Sequence, residues 1–127
     1  MLHLLDSNIL IYGSKPEHAF LLPFIFGRDS RVSAASIAEV LGYTGLTDED
    51  STLFEKWFAE IFFEEVSQVV LRRAAKLRQA RRMKLGDAIV AGTALEIGAA
   101  VVTRNVEDYQ NIPGLKVLDP FLAHDRC

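Results

Sequence analysis

Four acids fall at or just after the ends of short apolar runs, three of them in largely apolar surroundings. Asp6 follows Leu4-Leu5 and precedes Ser7-Asn8-Ile9-Leu10-Ile11, and Glu39 stands between apolar neighbours in Ser36-Ile37-Ala38-Glu39-Val40-Leu41. Asp87 opens the stretch Gly86-Asp87-Ala88-Ile89-Val90-Ala91-Gly92-Thr93, and Asp108 closes Thr103-Arg104-Asn105-Val106-Glu107-Asp108. A charge in an apolar setting must be paired, hydrogen-bonded or bound to a cation. Each acid also has a simpler reading. Asp6 could cap a short helix starting near Asn8. Ser36 and Glu39 fit the S-x-x-E capping box, and Asp87 would be favoured by a helix dipole. Asn105 could be a turn residue and Asp108 a solvated loop acid. Hard oxygen donors without thiolates or paired histidines select Mg²⁺ or Mn²⁺ over zinc. Here Cys127 is the single cysteine, and His3, His18 and His124 are scattered.

The elements that must position these acids follow from the hydrophobic pattern. Leu2 to Leu5, Val32 to Ala35, Ala99 to Val102 and Lys116 to Leu118 are short apolar runs of strand length. Helical patterns fill the gaps, at about Glu17 to Phe26, Ser36 to Tyr43, Asp48 to Phe63, Gln68 to Arg82 and Asp87 to Ile97. Alternating strands and helices predict an α/β fold of three layers, α/β/α, with a mostly parallel central sheet of about four to five strands. Ligands in such sheets gather beyond the carboxyl ends of the strands. Asp6 and the Thr103-Arg104-Asn105 segment are expected at those ends, with Glu39 one turn into the helix after the second strand. The small residues Ala88, Ala91 and Gly92 are expected to let other backbone come close, as a crowded central site requires.

The bulk numbers exclude several classes. A chain of 127 residues, 50% hydrophobic and 24% charged, fits one globular domain over residues 1–127 rather than a disordered or fibrous chain. No apolar run approaches the ~20 residues of a membrane span. The N-terminus has no basic segment followed by an apolar one, so a cytoplasmic protein is expected. With Cys127 alone there is no internal disulfide, and that thiol is expected to be inert.

A net charge of -3 gives no overall attraction to nucleic acid, so local charge must supply any. Arg72, Arg73, Lys76, Arg78, Arg81, Arg82 and Lys84 are half of the 14 basic residues, and no acid lies between Glu65 and Asp87. This stripe is either a phosphate-binding face beside Asp87, a solvated helix face, or a seat for acidic residues of a partner. Phe20, Phe24, Phe26, Phe54, Trp57, Phe58 and Phe62 exceed what a small core readily buries, which suggests a dimer surface or a groove for a partner helix.

The segments Leu5-Asp6-Ser7-Asn8-Ile9-Leu10, Ser33-Ala34-Ala35-Ser36-Ile37-Ala38-Glu39-Val40, Asp87-Ala88-Ile89-Val90-Ala91-Gly92-Thr93-Ala94 and Val102-Thr103-Arg104-Asn105-Val106-Glu107-Asp108-Tyr109 together resemble PIN-domain proteins. In length and organisation the chain is similar to the VapC-type toxins of toxin-antitoxin pairs. The resemblance implies a Mg²⁺- or Mn²⁺-dependent endoribonuclease, usually a homodimer, held inactive by a cognate antitoxin. Asp6, Glu39 and Asp87 match the family's three metal-site acids, and Asp6-Ser7-Asn8 resembles its usual Asp-Thr-Asn. Many relatives carry a fourth acid where this chain has Asn105, and Asp108 is the candidate to supply that charge.

Under this resemblance Asp6 and Asp87 are the first choices for direct ligands. Glu39 would bind a second ion or orient water, and Asp108 and Asn105 would complete the pocket with support from Ser7, Asn8 and Thr103. RNA contact would fall to Arg72, Arg73, Lys76, Arg81, Arg82 and Lys84. The rival from another class is a binding module of the same fold whose acids only cap helices. A phosphatase with a nucleophilic aspartate is disfavoured, because the second acid expected two residues on is Asn8. A phospho-accepting receiver domain lacks its preceding acidic pair.

Overall fold

Parallel strands put all their carboxyl ends on one edge, and five of them do so here. The computed structural model describes residues 1–125, so Cys127 lies outside the described residues. The strands are β1 (His3–Leu5), β2 (Ser30–Ser33), β3 (Phe63–Glu64), β4 (Ala100–Val102) and β5 (Lys116–Leu118). They form one sheet in the order β3-β2-β1-β4-β5, parallel at every pairing. From β1 the chain adds strands on one side, then crosses back to add β4 and β5 on the other. The crevice between the ends of β1 and β4 is therefore the switch point where such sheets bind ligands.

The helices are α1 (Ser7–Gly13), α2 (Leu22–Ile25), α3 (Ala35–Leu41), α4 (Asp48–Phe58), α5 (Gln68–Ala80), α6 (Leu85–Ile97) and α7 (Pro120–Asp125), with 3-10 segments at Pro16–Leu21 and Val106–Tyr109. Side chains alternate across a strand, and the core divides accordingly. Leu5, Val32 and Val102 face one way, with Ile9, Leu10, Leu21, Ile25, Val40, Phe54 and Phe121. Leu4 and Val101 face the other, with Val90, Ala91, Ala94, Tyr109 and Ile112. Leu4 and Leu5 are both fully buried, which contributes ~1.5–3 kcal/mol each. Among the described residues no helix is long and apolar enough to cross a membrane.

Several expected boundaries move, each for a local reason. The second strand lies at Ser30–Ser33 rather than Val32–Ala35, because Ser33 Oγ accepts the Ala35 N–H at 3.2 Å and turns the chain into α3. The expected helix from Glu17 to Phe26 is a 3-10 segment leading into α2, with non-helical backbone at His18 and a proline in the first turn of α2. The expected helix to Phe63 stops at Phe58, and Phe63 and Glu64 pair with Val32 and Ser33 instead. Helix α6 begins two residues before Asp87, with Lys84 as its N-cap. The close approach at Gly92 is to a neighbouring helix rather than to the site: a Cβ there would lie 3.1 Å from the Val70 carbonyl of α5.

Candidate active site

The edge of the sheet at β1 and β4 gathers the acids singled out above. Asp6 follows β1 directly, and its N–H donates to the Val102 carbonyl of β4 at 2.9 Å. It caps α1, its Oδ1 accepting the Ser7 N–H at 2.8 Å. Its Oδ2 accepts from Thr103 Oγ1 at 2.9 Å and from Tyr109 Oη at 3.0 Å. Asp6 is thus a helix cap and a member of a cluster at once, since two oxygens with about four lone-pair sites serve both. Thr103, the residue after β4, accepts in turn from Asn8 Nδ2 at 3.3 Å and from the Asn105 N–H at 3.0 Å.

Glu39 does not form the expected capping box. The N-cap of α3 is Ala34, with no side-chain hydrogen bond, and Ser36 is buried inside the helix. The Ser7 hydroxyl lies 3.0 Å from Glu39 Oε1 and 2.9 Å from Ser36 Oγ, so the carboxylate is held toward α1 instead of its own N-terminus. Gly86 is what lets it come so near Asp87, because a Cβ there would sit 2.8 Å from Glu39 Oε2. Asp87, in the first turn of α6, makes no side-chain cap for that helix. Its Oδ1 instead lies 3.4 Å from Tyr109 Oη, as the longer arm of a hydroxyl whose single proton is shared with Asp6.

The electrostatics agree with one cluster. Burial raises the pKa of Asp6 against the hydrogen bonds from Thr103, Tyr109 and Ser7, and Asp108 adds repulsion. Burial also raises that of Asp87, with Asp6, Asp108 and Glu39 repelling its charge, to about 6. The Tyr109 phenol is pushed well above its ordinary value by burial and by the same two aspartates, so it stays a donor. Asp108 lies on the Val106–Tyr109 turn and is exposed, as is Asn105, the residue before that turn.

Among the described residues no cation pairs with these carboxylates. The ion pairs among the described residues are Lys15–Asp50, Arg31–Glu64 and Arg73–Glu96. Asn8, whose Nδ2 donates to Thr103, has its Oδ1 buried with no hydrogen-bond partner among the described residues. An all-oxygen donor set with uncompensated negative charge fits a divalent cation of the Mg²⁺ or Mn²⁺ type. Among the described residues no three of His, Cys, Asp and Glu form a finished cage, so the fit is one of chemistry rather than of closed geometry. The histidines stay apart: His3 packs on Phe24, His18 on Tyr12 and Phe121, and His124 on Phe20.

The basic stripe divides. Helix α5 ends at Ala80, and Arg81 turns the chain into an extended conformation. Arg81, Arg82 and Lys84 then line a depression shared with Asp87, Glu107, Asp108 and Gln110. Arg81 Nη1 is buried without an acceptor among the described residues. Arg72, Arg73 and Lys76 stay on α5, exposed, and Arg73 is engaged by Glu96 at 2.5 Å. Of the surplus aromatics, Phe54 is buried and Phe20, Phe24, Trp57 and Phe58 are half-buried, while Phe26 and Phe62 remain exposed. Tyr109 is the site residue that sequence reasoning left without a role. Its one signal was a hydroxyl on an aromatic residue next to a candidate acid.

No curated protein matches the chain in sequence. Among solved structures, a toxin-antitoxin complex from Klebsiella pneumoniae contains a chain 28% identical, with a TM-score of 0.76 over 93% of this chain and 97% of that one. A DNA-bound VapBC complex from Salmonella typhimurium contains one 21% identical, with a TM-score of 0.77 over 94% of this chain and 98% of that one. For a VapBC complex from nontypeable Haemophilus influenzae the values are 23% identity, a TM-score of 0.74, and 94% and 98% coverage. The family pattern of the PIN domain matches residues 3–115, nearly the whole length that carries the sheet and its acids. The chain belongs to the PIN-domain family.

Proposed function

We propose that this chain is a Mg²⁺- or Mn²⁺-dependent endoribonuclease acting in the cytoplasm as the toxin of a type II toxin-antitoxin pair. The observation that carries the reading is a cluster of carboxylates at the β1/β4 switch point, unneutralised by any ion pair among the described residues and bordered by Arg81, Arg82 and Lys84. Family membership supports a nuclease, and the toxin-antitoxin complex from Klebsiella pneumoniae supports the toxin role.

Asp6 and Asp87 would hold the cation, with Glu39 and Asp108 completing the set and Asn105 beside them. A divalent ion there would supply charge neutralisation at the phosphate and a more acidic water. The chain's own residues do the positioning. Thr103 and Tyr109 fix one oxygen of Asp6, Ser7 fixes Glu39, and Asn8 braces Thr103. Arg81, Arg82 and Lys84 would take RNA phosphates, since they flank Asp87, whereas Arg72, Arg73 and Lys76 lie farther back along α5. A cognate antitoxin would cover the apolar surface that includes Phe26 and Phe62, and a homodimer is the assembly the resemblance implies.

The test is incubation of purified chain with end-labelled total RNA, with Mn²⁺, with chelator, and with Asp6→Asn or Asp87→Asn. Cleavage that requires the ion and both aspartates is the expected result. RNA bound but uncut under every condition would replace the nuclease with a binding module of the same fold.

A further inference from the structure

Among the described residues Tyr109 is the one uncharged side chain whose polar atom reaches two of the clustered aspartates. It is 1% exposed, and its ring is packed with Leu4, Val90, Val101 and Ile112 between the sheet and α6. The hydroxyl emerges from this apolar setting 3.0 Å from Asp6 Oδ2 and 3.4 Å from Asp87 Oδ1. These acids belong to different elements: Asp6 ends β1, and Asp87 lies in the first turn of α6. Tyr109 comes from a third, the Val106–Tyr109 3-10 turn after β4, in which it directly follows Asp108. One hydroxyl thus ties the end of the central strand, the start of the helix above it and the turn that carries a further acid.

Packing alone does not require this hydroxyl. A phenyl ring would fill the same space and avoid bringing a polar group into the core. The hydroxyl answers a different need, since two carboxylates brought together repel one another and spread unless a donor or cation stands between them. Asp6 has a second side-chain donor in Thr103, but among the described residues Tyr109 is the only side-chain donor to Asp87. A carboxylate offers about four lone-pair sites, so a phenol donor and a cation can use the same carboxylate together.

We propose that Tyr109 is a positioning residue whose hydroxyl holds Asp6 and Asp87 at a common spacing and thereby sets the affinity of the site for a divalent cation. This rests on the reading of the carboxylate cluster as a cation site. Donors that orient metal-binding carboxylates typically change affinity by about 10–100-fold when removed.

The experiment is calorimetric titration with Mn²⁺ of the wild-type chain, Tyr109→Phe and Thr103→Val, with thermal melts in chelator. Wild-type binding tests the cation-site reading on its own: a wild type that takes up no Mn²⁺ removes that reading and this inference together. With wild-type binding in place, the expected result is that Tyr109→Phe weakens the Mn²⁺ dissociation constant by about 10–100-fold, while cleavage at saturating Mn²⁺ recovers toward the wild-type rate. Thr103→Val, which leaves the Tyr109 link to both aspartates, should lose less. An affinity for Mn²⁺ within twofold of wild type in a folded Tyr109→Phe protein would overturn the proposal. Should that variant not fold, 3-fluorotyrosine in the wild-type chain gives the answer. The Tyr109 fluorine signal should move during Mg²⁺ titration with the midpoint of a parallel Mg²⁺ calorimetric titration while that of exposed Tyr43 does not, and a stationary Tyr109 signal would equally overturn it.

Discussion

The carboxylate cluster has a buried side and an open side, and the two are built differently. On the buried side, Asp6 is 7% exposed and accepts from the Ser7 N–H, Thr103 and Tyr109. On the open side, Glu39 and Asp108 are exposed; Glu39 is held by the Ser7 hydroxyl, and Asp108 comes from a short turn whose backbone, not its side chain, is fixed. An acid locked by several donors in a low-dielectric setting keeps one geometry, at a cost in its own ionisation. An acid on a solvated turn keeps its charge freely but must find its geometry at each binding event. Under the proposed cation site, Asp6 would do the work that needs precision and Asp108 the work that needs only nearby charge.

The sharpest way to break that contrast is to neutralise each acid without changing its shape. Asp6→Asn should lower RNA cleavage by about a thousandfold, because a metal site contributes several kcal/mol of charge stabilisation. Asn is itself a good N-cap, so α1 should remain intact and the variant should stay folded by circular dichroism. Asp108→Asn should cost about tenfold or less, at the lower end of what outer-shell groups contribute. Equal losses in a fluorogenic RNA cleavage assay would mean that burial does not rank these acids.

A smaller effect separates Asp87 from both. Burial, then Asp6 and Asp108, raise its pKa from 3.8 to about 6. A raised value means that the folded chain binds the proton more tightly than the unfolded one. The group therefore favours folding below pH 3.8, and that contribution is lost as the pH rises through about 6. At neutral pH the ionised carboxylate works against the metal-free fold. Asp87→Asn should accordingly raise the melting temperature by a few degrees in chelator at neutral pH, and the gap should close near the lower value. Calorimetry across this range checks it; a variant that melts lower at neutral pH would show that the Tyr109 hydrogen bond outweighs the repulsion.

The acids of the cluster are legible in the sequence and the groups that hold them only partly so, for physical reasons. Asp6 and Asp87 interrupt apolar stretches, and a charge in such a place needs a compensating partner wherever the chain folds. Glu39 was legible as an acid near the site, but Ser36 invited a capping box. Only the tertiary contact with Ser7 from α1 settles which neighbour Glu39 serves. Tyr109 is not legible as a site residue, because the destination of its hydroxyl depends on α6 packing against the turn that carries it. The strand β3 was hidden because two residues carry no period, and its pairing with β2 overrides the helical spacing that runs through Phe58, Ile61 and Phe62.

The basic stripe makes the last and smallest comparison, between residues near in sequence but divided by a helix end. Up to Ala80 the cations lie on α5, and beyond it Arg81, Arg82 and Lys84 follow an extended path along the rim beside Asp87 and Asp108. Phosphate contacts release counterions, and for a single strand each contact contributes about 0.7 to the slope of log binding constant against log salt. With cleavage blocked by Asp87→Asn, replacing both Arg81 and Arg82 by Gln should flatten that slope by about 1.4. Arg72→Gln should leave it unchanged, although both changes remove positive charge. If instead the slope tracks only the number of cations removed, RNA follows the whole of α5 and the rim has no special part. If neither change moves it, the depression beside Asp87 belongs to a partner other than RNA.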